Sequence, residues 1–438
     1  MRLPYIDNSN PLYYQSFRPW RDVSRADWDD WRWQSKHHVN TVEALAEILP
    51  LTEVEAAKIR GTFAQYKFSV APYYLSLINP KNPECPIRLQ CIPSAQELHL
   101  QPEDMDDPLS EDRDMPVPNV VHRYPDRVLV TITETCSMYC RFCTRRRFVL
   151  NKEGHRSRNE MDVIVDYIDS HPEIRDVIFS GGDALMMGEA ALFKLMERIR
   201  AIPHVEILRL ASKFPCVFPM RITQSLVDRL KLYKPLYFMT HFNHPYEITP
   251  EAELACSRIV DSGIPMMNQA VLLRKINSDA AIMKKLMQEC LRIRVKPYYI
   301  YQCDLSEGIG HFRAPVEKGI EIIESLRGHT SGLGVPEFVI DMPGGGGKVP
   351  LAPHYLISQS DKKVVVRNYE GYICSYPQPE ESDCTCSTAG EIEKTSQTSE
   401  SGLARLLHQD HIMIHPRESR GKKQPENEPD PKPRAAAR

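Results

Sequence analysis

RVLVTITETCSMYCRFCTRRRF, residues 127–148, begins as a β-type run and turns into a cysteine loop. The first eight residues alternate β-branched and polar side chains, the pattern of a strand. Cys136, Cys140 and Cys143 follow with C-x3-C-x2-C spacing, and three arginines come directly after them. Thiolates bind soft metals and iron–sulfur clusters, and structural zinc wants a closed set of four ligands. Three thiolates on one short loop can instead hold three irons of a [4Fe–4S] cluster. The fourth iron is then open, and an open iron implies chemistry at the cluster.

Outward from this loop, β-type runs alternate with amphipathic ones. After 127–134 the strand candidates are 176–183, 205–212, 235–242, 266–273 and 296–304, with helical patterns near 160–170, 187–201, 222–233, 249–262, 279–293 and 315–327. Such alternation predicts an α/β fold with βα units on a parallel sheet. Six units predict a partial (β/α)6 barrel, with a seventh apolar run, EFVID (337–341), at its edge. In barrels of this kind chemistry collects where strands end. The cysteines lie there, as do Ser180, Gly181, Gly182 and Asp183 of SGGD, His241, Gln269, Asp304 and Asp341.

Residues 1–120 read as a helical region with an acidic connector, 121–345 as the barrel, 346–420 as a C-terminal extension and 421–438 as a disordered, proline-rich tail. Trp20, Trp28, Trp31 and Trp33 fall close together and predict an aromatic mini-core. PEDMDDPLSEDRDMPVPN (102–119) reads as exposed.

A chain of 438 residues, 42% hydrophobic, can bury a large core, and its net charge of −3 creates no global basic field. Neither nucleic acid nor membrane is therefore expected as a partner. The N-terminus carries no signal-like apolar run, which predicts a cytoplasmic protein whose twelve cysteines are reduced.

The cysteine spacing, with Phe142 just before the third cysteine, resembles the radical SAM signature. The resemblance narrows once HRYPDRVLVTITETCSMYCRFCTRRRF, DVIFSGGDAL, THFNHPYEIT, PYYIYQCDLSEGIGHFR and DMPGGGGK are read together. These resemble the lysine 2,3-aminomutase family in the same order. The resemblance implies an isomerase using a [4Fe–4S] cluster, S-adenosyl-L-methionine and pyridoxal 5′-phosphate (PLP). It implies a homo-oligomer reduced by flavodoxin or ferredoxin. Lys348, after the glycine run 344–347, matches the lysine that carries PLP, and Arg123 and Arg127 match positions near its phosphate. Phe142 and the SGGD residues match the S-adenosylmethionine pocket, His241 and Gln269 match cofactor-binding positions, and Arg145 matches the residue that receives the substrate α-carboxylate. The four glycines read as a mobile backbone, and those of SGGD as room for a ligand.

Asp304 and Asp341 each end a β-type run and should reach one barrel mouth. Two carboxylates in a partly closed site repel each other unless a cation arrives between them. The ammonium of L-lysine supplies it, which places arginine behind lysine and glutamate further back. An electron-transfer protein would want a fourth cysteine, and a nucleic-acid enzyme a wider basic face. The chain departs from the family pattern at SKFP (212–215), at Phe142, and at Cys384 and Cys386, whose expected third partner falls on Ala389 while INSDAA (276–281) lacks a fourth. The last departure argues against structural zinc.

Overall fold

The computed structural model of the chain describes residues 10–151, 158–360 and 362–379. Nine strands form one sheet whose spatial order is their chain order. They are β1 (Val120–Tyr124), β2 (Arg127–Thr133), β3 (Asp176–Gly181), β4 (Ile207–Ala211), β5 (Leu236–Thr240), β6 (Met266–Leu272), β7 (Val295–Gln302), β8 (Glu337–Met342) and β9 (Gly347–Leu351). β2 to β8 run parallel, while β1 and β9 pair antiparallel at the two edges. The sheet curls into a nearly closed barrel. The expected partial (β/α)6 barrel is present, extended by a seventh parallel strand and capped by an antiparallel strand on each side.

Parallel neighbours need a crossover, and the helices that supply it are set by their caps and apolar faces. The helix Ala280–Arg292 starts where Asp279 accepts from the N–H groups of Ala281 and Ile282, and it buries Met283, Leu286, Met287 and Cys290. Pro250–Asp261 starts at Thr249 with proline in its first turn and buries Ala252, Ala255, Cys256 and Ile259. Strand periodicity then sorts the residues between them. Val128, Val130, Val177, Phe179, Leu208 and Leu210 are buried on one face of the sheet, while Leu129, Ile178 and Arg209, paired in register, line a central cavity on the other.

Contacts divide the chain into two units, Met1–Ser358 with Val365–Ser375, and Gln359–Val364 with Tyr376–Arg438. The site described below lies wholly within the first. Leu356–Gln359, Lys363–Arg367 and Ile373–Pro377 form a separate three-stranded sheet. No helix among the described residues is long and apolar enough to cross a membrane. Cys384, Cys386, Ala389 and the tail fall outside the described residues.

The tryptophans form the expected mini-core, with Trp28 stacked on Tyr14 at 4.0 Å and in contact with Trp20 and Trp33. Trp31 lies instead under the Arg221 guanidinium. The acidic segment 102–119 corrects the reading as an exposed connector. Glu111, Asp114 and Asn119 are buried, because the barrel presents arginines that need partners. Asp114 pairs with Arg123, Asp107 and Asp112 with Arg147, and Glu103 and Asp104 with Arg313. Met105 exchanges backbone hydrogen bonds with Leu305 and Glu307, so the segment is strapped across the barrel mouth.

Candidate active site

A cavity of about 620 Å³ opens at the C-terminal ends of the parallel strands. Every residue matched above to the cluster, the cofactors or the substrate lines it. Cys136, Cys140 and Cys143 come from the loop after β2, Ser180 to Asp183 from the end of β3, His241 from the end of β5 and Gln269 from β6. Asp304 follows β7, Asp341 ends β8 and Lys348 lies on β9.

The three thiols are partly exposed and unpaired with one another. Burial raises the pKa of all three, that of Cys140 up to about 12. They remain protonated until a metal displaces the proton. Among the described residues no three His, Cys, Asp or Glu side chains gather around one metal-ion position. Three thiols of one short loop facing one cavity fit the irons of a cluster.

The glycines of SGGD line the cavity and also have a structural role. A Cβ on Gly181 would overlap the carbonyl of Thr133, and one on Gly182 the carbonyl of Thr135. Gly182 and Asp183 also donate backbone hydrogen bonds to those two carbonyls, at 2.7 and 2.9 Å. The pair therefore clamps the root of the cysteine loop to β3. Asp183 accepts from Ser212 Oγ at 2.7 Å and from the Lys213 N–H at 2.8 Å, tying β3 to β4. Burial still pushes its carboxyl up to about 6. Phe142 packs beside His241, ring centroids 5.6 Å apart. Burial, then the nearby Lys213, lowers His241 to about 3, so its ring is neutral. Lys213, the departure in SKFP, is half-buried and donates to the His241 carbonyl at 2.8 Å and to Glu247 at 3.3 Å. Gln269 donates to the Tyr301 hydroxyl at 3.0 Å.

Each arginine of the RRR run has a carboxylate partner. Arg145 donates through Nε and Nη2 to Glu111, at 2.6 to 3.1 Å, and through Nη1 to Ser180 Oγ at 3.0 Å. Arg146 shares the buried Glu97 with Arg141, and Arg147 pairs with the strap. Arg123 donates to Asp114 and the Leu109 carbonyl. Arg127 faces the half-exposed Asp126 and stacks 3.9 Å over Tyr124.

The two aspartates differ from the expected unpaired couple. Lys348 Nζ lies 3.0 and 3.2 Å from the Asp341 oxygens, and Thr144 donates to Asp304 at 2.7 Å. Arg313 pairs with Glu103 and Asp104 of the strap and with neither of these aspartates. Burial pushes the Asp304 carboxyl up to about 6 despite the Thr144 hydrogen bond, with Asp341 adding to the rise. The glycine run forms a turn in which Gly344, Gly345 and Gly347 take positive φ between β8 and β9. The strap's Arg113 holds it through the Gly344 and Gly345 carbonyls. Sequence reasoning missed Glu111 and Tyr301. The alternation of "YYIYQ" along β7 puts Tyr301 on the same face as Tyr299, but nothing local marks Glu111 among its acidic neighbours.

A cysteine triplet at the mouth of a parallel barrel defines a radical SAM enzyme, and residues 130–278 match the Radical SAM superfamily. Residues 323–436 match a second family, described as Lysine-2,3-aminomutase. The chain is 50% identical to the L-lysine 2,3-aminomutase of Clostridium subterminale over 90% of its length and 95% of that protein's. Against the Bacillus subtilis enzyme of the same name it is 50% identical, covering 84% of this chain and 78% of the other. The glutamate 2,3-aminomutase of Clostridioides difficile is 42% identical, over 79% and 82%. The chain belongs to the lysine 2,3-aminomutase family.

Proposed function

We propose that the protein is an isomerase that moves the α-amino group of free L-lysine to the β-carbon. The observation that carries this reading is that one cavity is lined both by a guanidinium, Arg145, bonded to Ser180 at the end of β3, and by two carboxylates, Asp304 after β7 and Asp341 on β8. A ligand with a carboxylate at one end and an ammonium at the other fits that polarity. A glutamate side chain would meet two carboxylates, so glutamate is disfavoured. Arginine also carries a terminal cation and stays the second candidate.

Cys136, Cys140 and Cys143 would hold the cluster that binds S-adenosylmethionine, and Lys348 would carry PLP, with Arg127 and Arg123 near its phosphate. Breaking an unactivated C–H bond exceeds what acid–base side chains can do; these cofactors supply a carbon radical and a place for the migrating nitrogen. The chain's residues do the rest. Arg145 binds and orients the carboxylate through charge-assisted hydrogen bonds. Asp304 and Asp341 fix the far ammonium, which sets the carbon presented to the cluster side. Neutral His241, Phe142 and Gln269 would shape the wall of an S-adenosylmethionine site, and the strap and Tyr301 would keep water out. Electrons would come from flavodoxin or ferredoxin, and the working form would be a homo-oligomer in the cytoplasm.

The test is anaerobic reconstitution with iron, sulfide, PLP, S-adenosylmethionine and a reductant, followed by detection of β-isomers from a panel of amino acids. β-Lysine as the dominant product supports the reading. Conversion of glutamate or alanine with lysine unchanged overturns it.

A further inference from the structure

Glu111 stands apart from the other acids of the strap, because its partner is a site residue. Both of its oxygens face Arg145, which meets them through Nε and Nη2. The pair is withdrawn from solvent, with the Glu111 side chain 6% and the Arg145 side chain 19% exposed. A guanidinium has five N–H groups. Glu111 engages one on Nε and one on Nη2, and Ser180 takes one on Nη1. One N–H is left on each terminal nitrogen, the number a carboxylate accepts end-on.

The other anions within reach are those of the ammonium subsite. Thr144, the residue before Arg145, is already bonded to Asp304, and Asp341 lines the same cavity as Arg145. A buried guanidinium without a partner is costly. Deprived of Glu111, Arg145 lowers its energy by turning toward Asp304 and Asp341, and the positive and negative ends of the site then neutralise each other. The strap resists this, being pinned beside Asp304 at Leu305 and beside Arg145 at Arg147.

We infer that Glu111 is a positioning residue for substrate specificity: it holds Arg145 away from Asp304 and Asp341, keeping apart the two charged ends that select an amino acid with a cationic side chain. This rests on the reading of Arg145 and the aspartates as substrate contacts. Glu111 touches no reacting atom and acts through Arg145.

The experiment is equilibrium binding to PLP-loaded, cluster-free protein, read from the cofactor absorbance, with lysine, cadaverine (no carboxylate) and norleucine (no side-chain ammonium). Wild type should prefer lysine to both truncated ligands; a wild type without that preference defeats the substrate reading itself. Given it, Glu111→Gln should shrink the preference at least about tenfold against both ligands, as for loss of a buried charged partner. PLP content should follow wild type closely, which separates positioning from general damage. Glu111→Asp keeps the charge and should fall between the two, with a loss of about threefold or more. Wild-type discrimination in Glu111→Gln overturns the inference. If that variant takes up no PLP, Glu111→Asp decides alone, and discrimination equal to wild type there overturns it.

Discussion

Asp341 and Lys348 face each other across the antiparallel β8–β9 pair, with the lysine ammonium 3.0 Å from the nearer carboxylate oxygen. The lysine proposed to carry PLP thus compensates a carboxylate proposed to hold the substrate ammonium. Lysine arriving at the site brings a replacement cation as Lys348 is displaced. Borohydride reduction of the PLP-loaded protein should trap the cofactor on the peptide containing Lys348. Lys348→Ala should lose the protein-linked absorbance while still binding S-adenosylmethionine. Cofactor trapped on another lysine would refute the assignment.

The cysteine loop and Lys348 come from different strands, so their losses should separate. Replacing Cys136, Cys140 or Cys143 by alanine should abolish isomerisation and the iron signal while leaving PLP uptake largely intact. Iron analysis and the PLP absorbance check both halves. Unchanged turnover in any of the three variants contradicts a radical mechanism.

Asp304 gives a pH signature. Its carboxyl is pushed up to about 6 by burial, so below that pH it is neutral and a poor partner for an ammonium. The substrate side-chain ammonium stays charged throughout this range. Lysine affinity should therefore rise as pH climbs toward about 6 and level off above it, and Asp304→Asn should remove that inflection. The stability effect runs the other way. An acid whose pKa is raised on folding favours the folded state below its unfolded value and loses that contribution as pH rises through about 6. Thermal melts of ligand-free Asp304→Asn should exceed wild type at neutral pH and converge with it in acid.

Glu97 is fully buried and shared by Arg141 and Arg146 at 2.6 Å each. Burial opposes its charge, and the two arginines overcome that opposition. Glu97→Gln leaves two buried guanidiniums sharing a neutral amide. It should destabilise the protein by about 3–5 kcal/mol, measurable by denaturant unfolding. A loss below about 1 kcal/mol would show that water reaches the pair.

The seven parallel strands were legible because runs such as VLVTIT and VIFS are β-branched, bounded and separated by helix-length segments. The edge strands were not. β1 carries polar His122 and Arg123, and β9 begins inside a glycine run that reads as loop. The candidate residues were legible by chemistry and by place, since the barrel delivers strand ends to one mouth. Their pairing was not: Lys348 meets Asp341 only because of a turn whose hand depends on positive φ at three glycines. The strap was misread for a different reason. Its composition is that of a solvated segment, and its burial comes from distant arginines, a tertiary effect that no local pattern encodes.

Paired kinetics of lysine and glutamate with the reconstituted wild type and the Asp304→Asn/Asp341→Asn double variant test the central claim most directly. The account predicts that wild type favours lysine over glutamate. It predicts that the double variant loses about 30-fold or more in kcat/KM for lysine, equivalent to about 2 kcal/mol or more for a truncated buried charge pair, with PLP and iron contents retained. A wild type that turns over glutamate better, or a double variant with unaltered lysine kinetics, would contradict it.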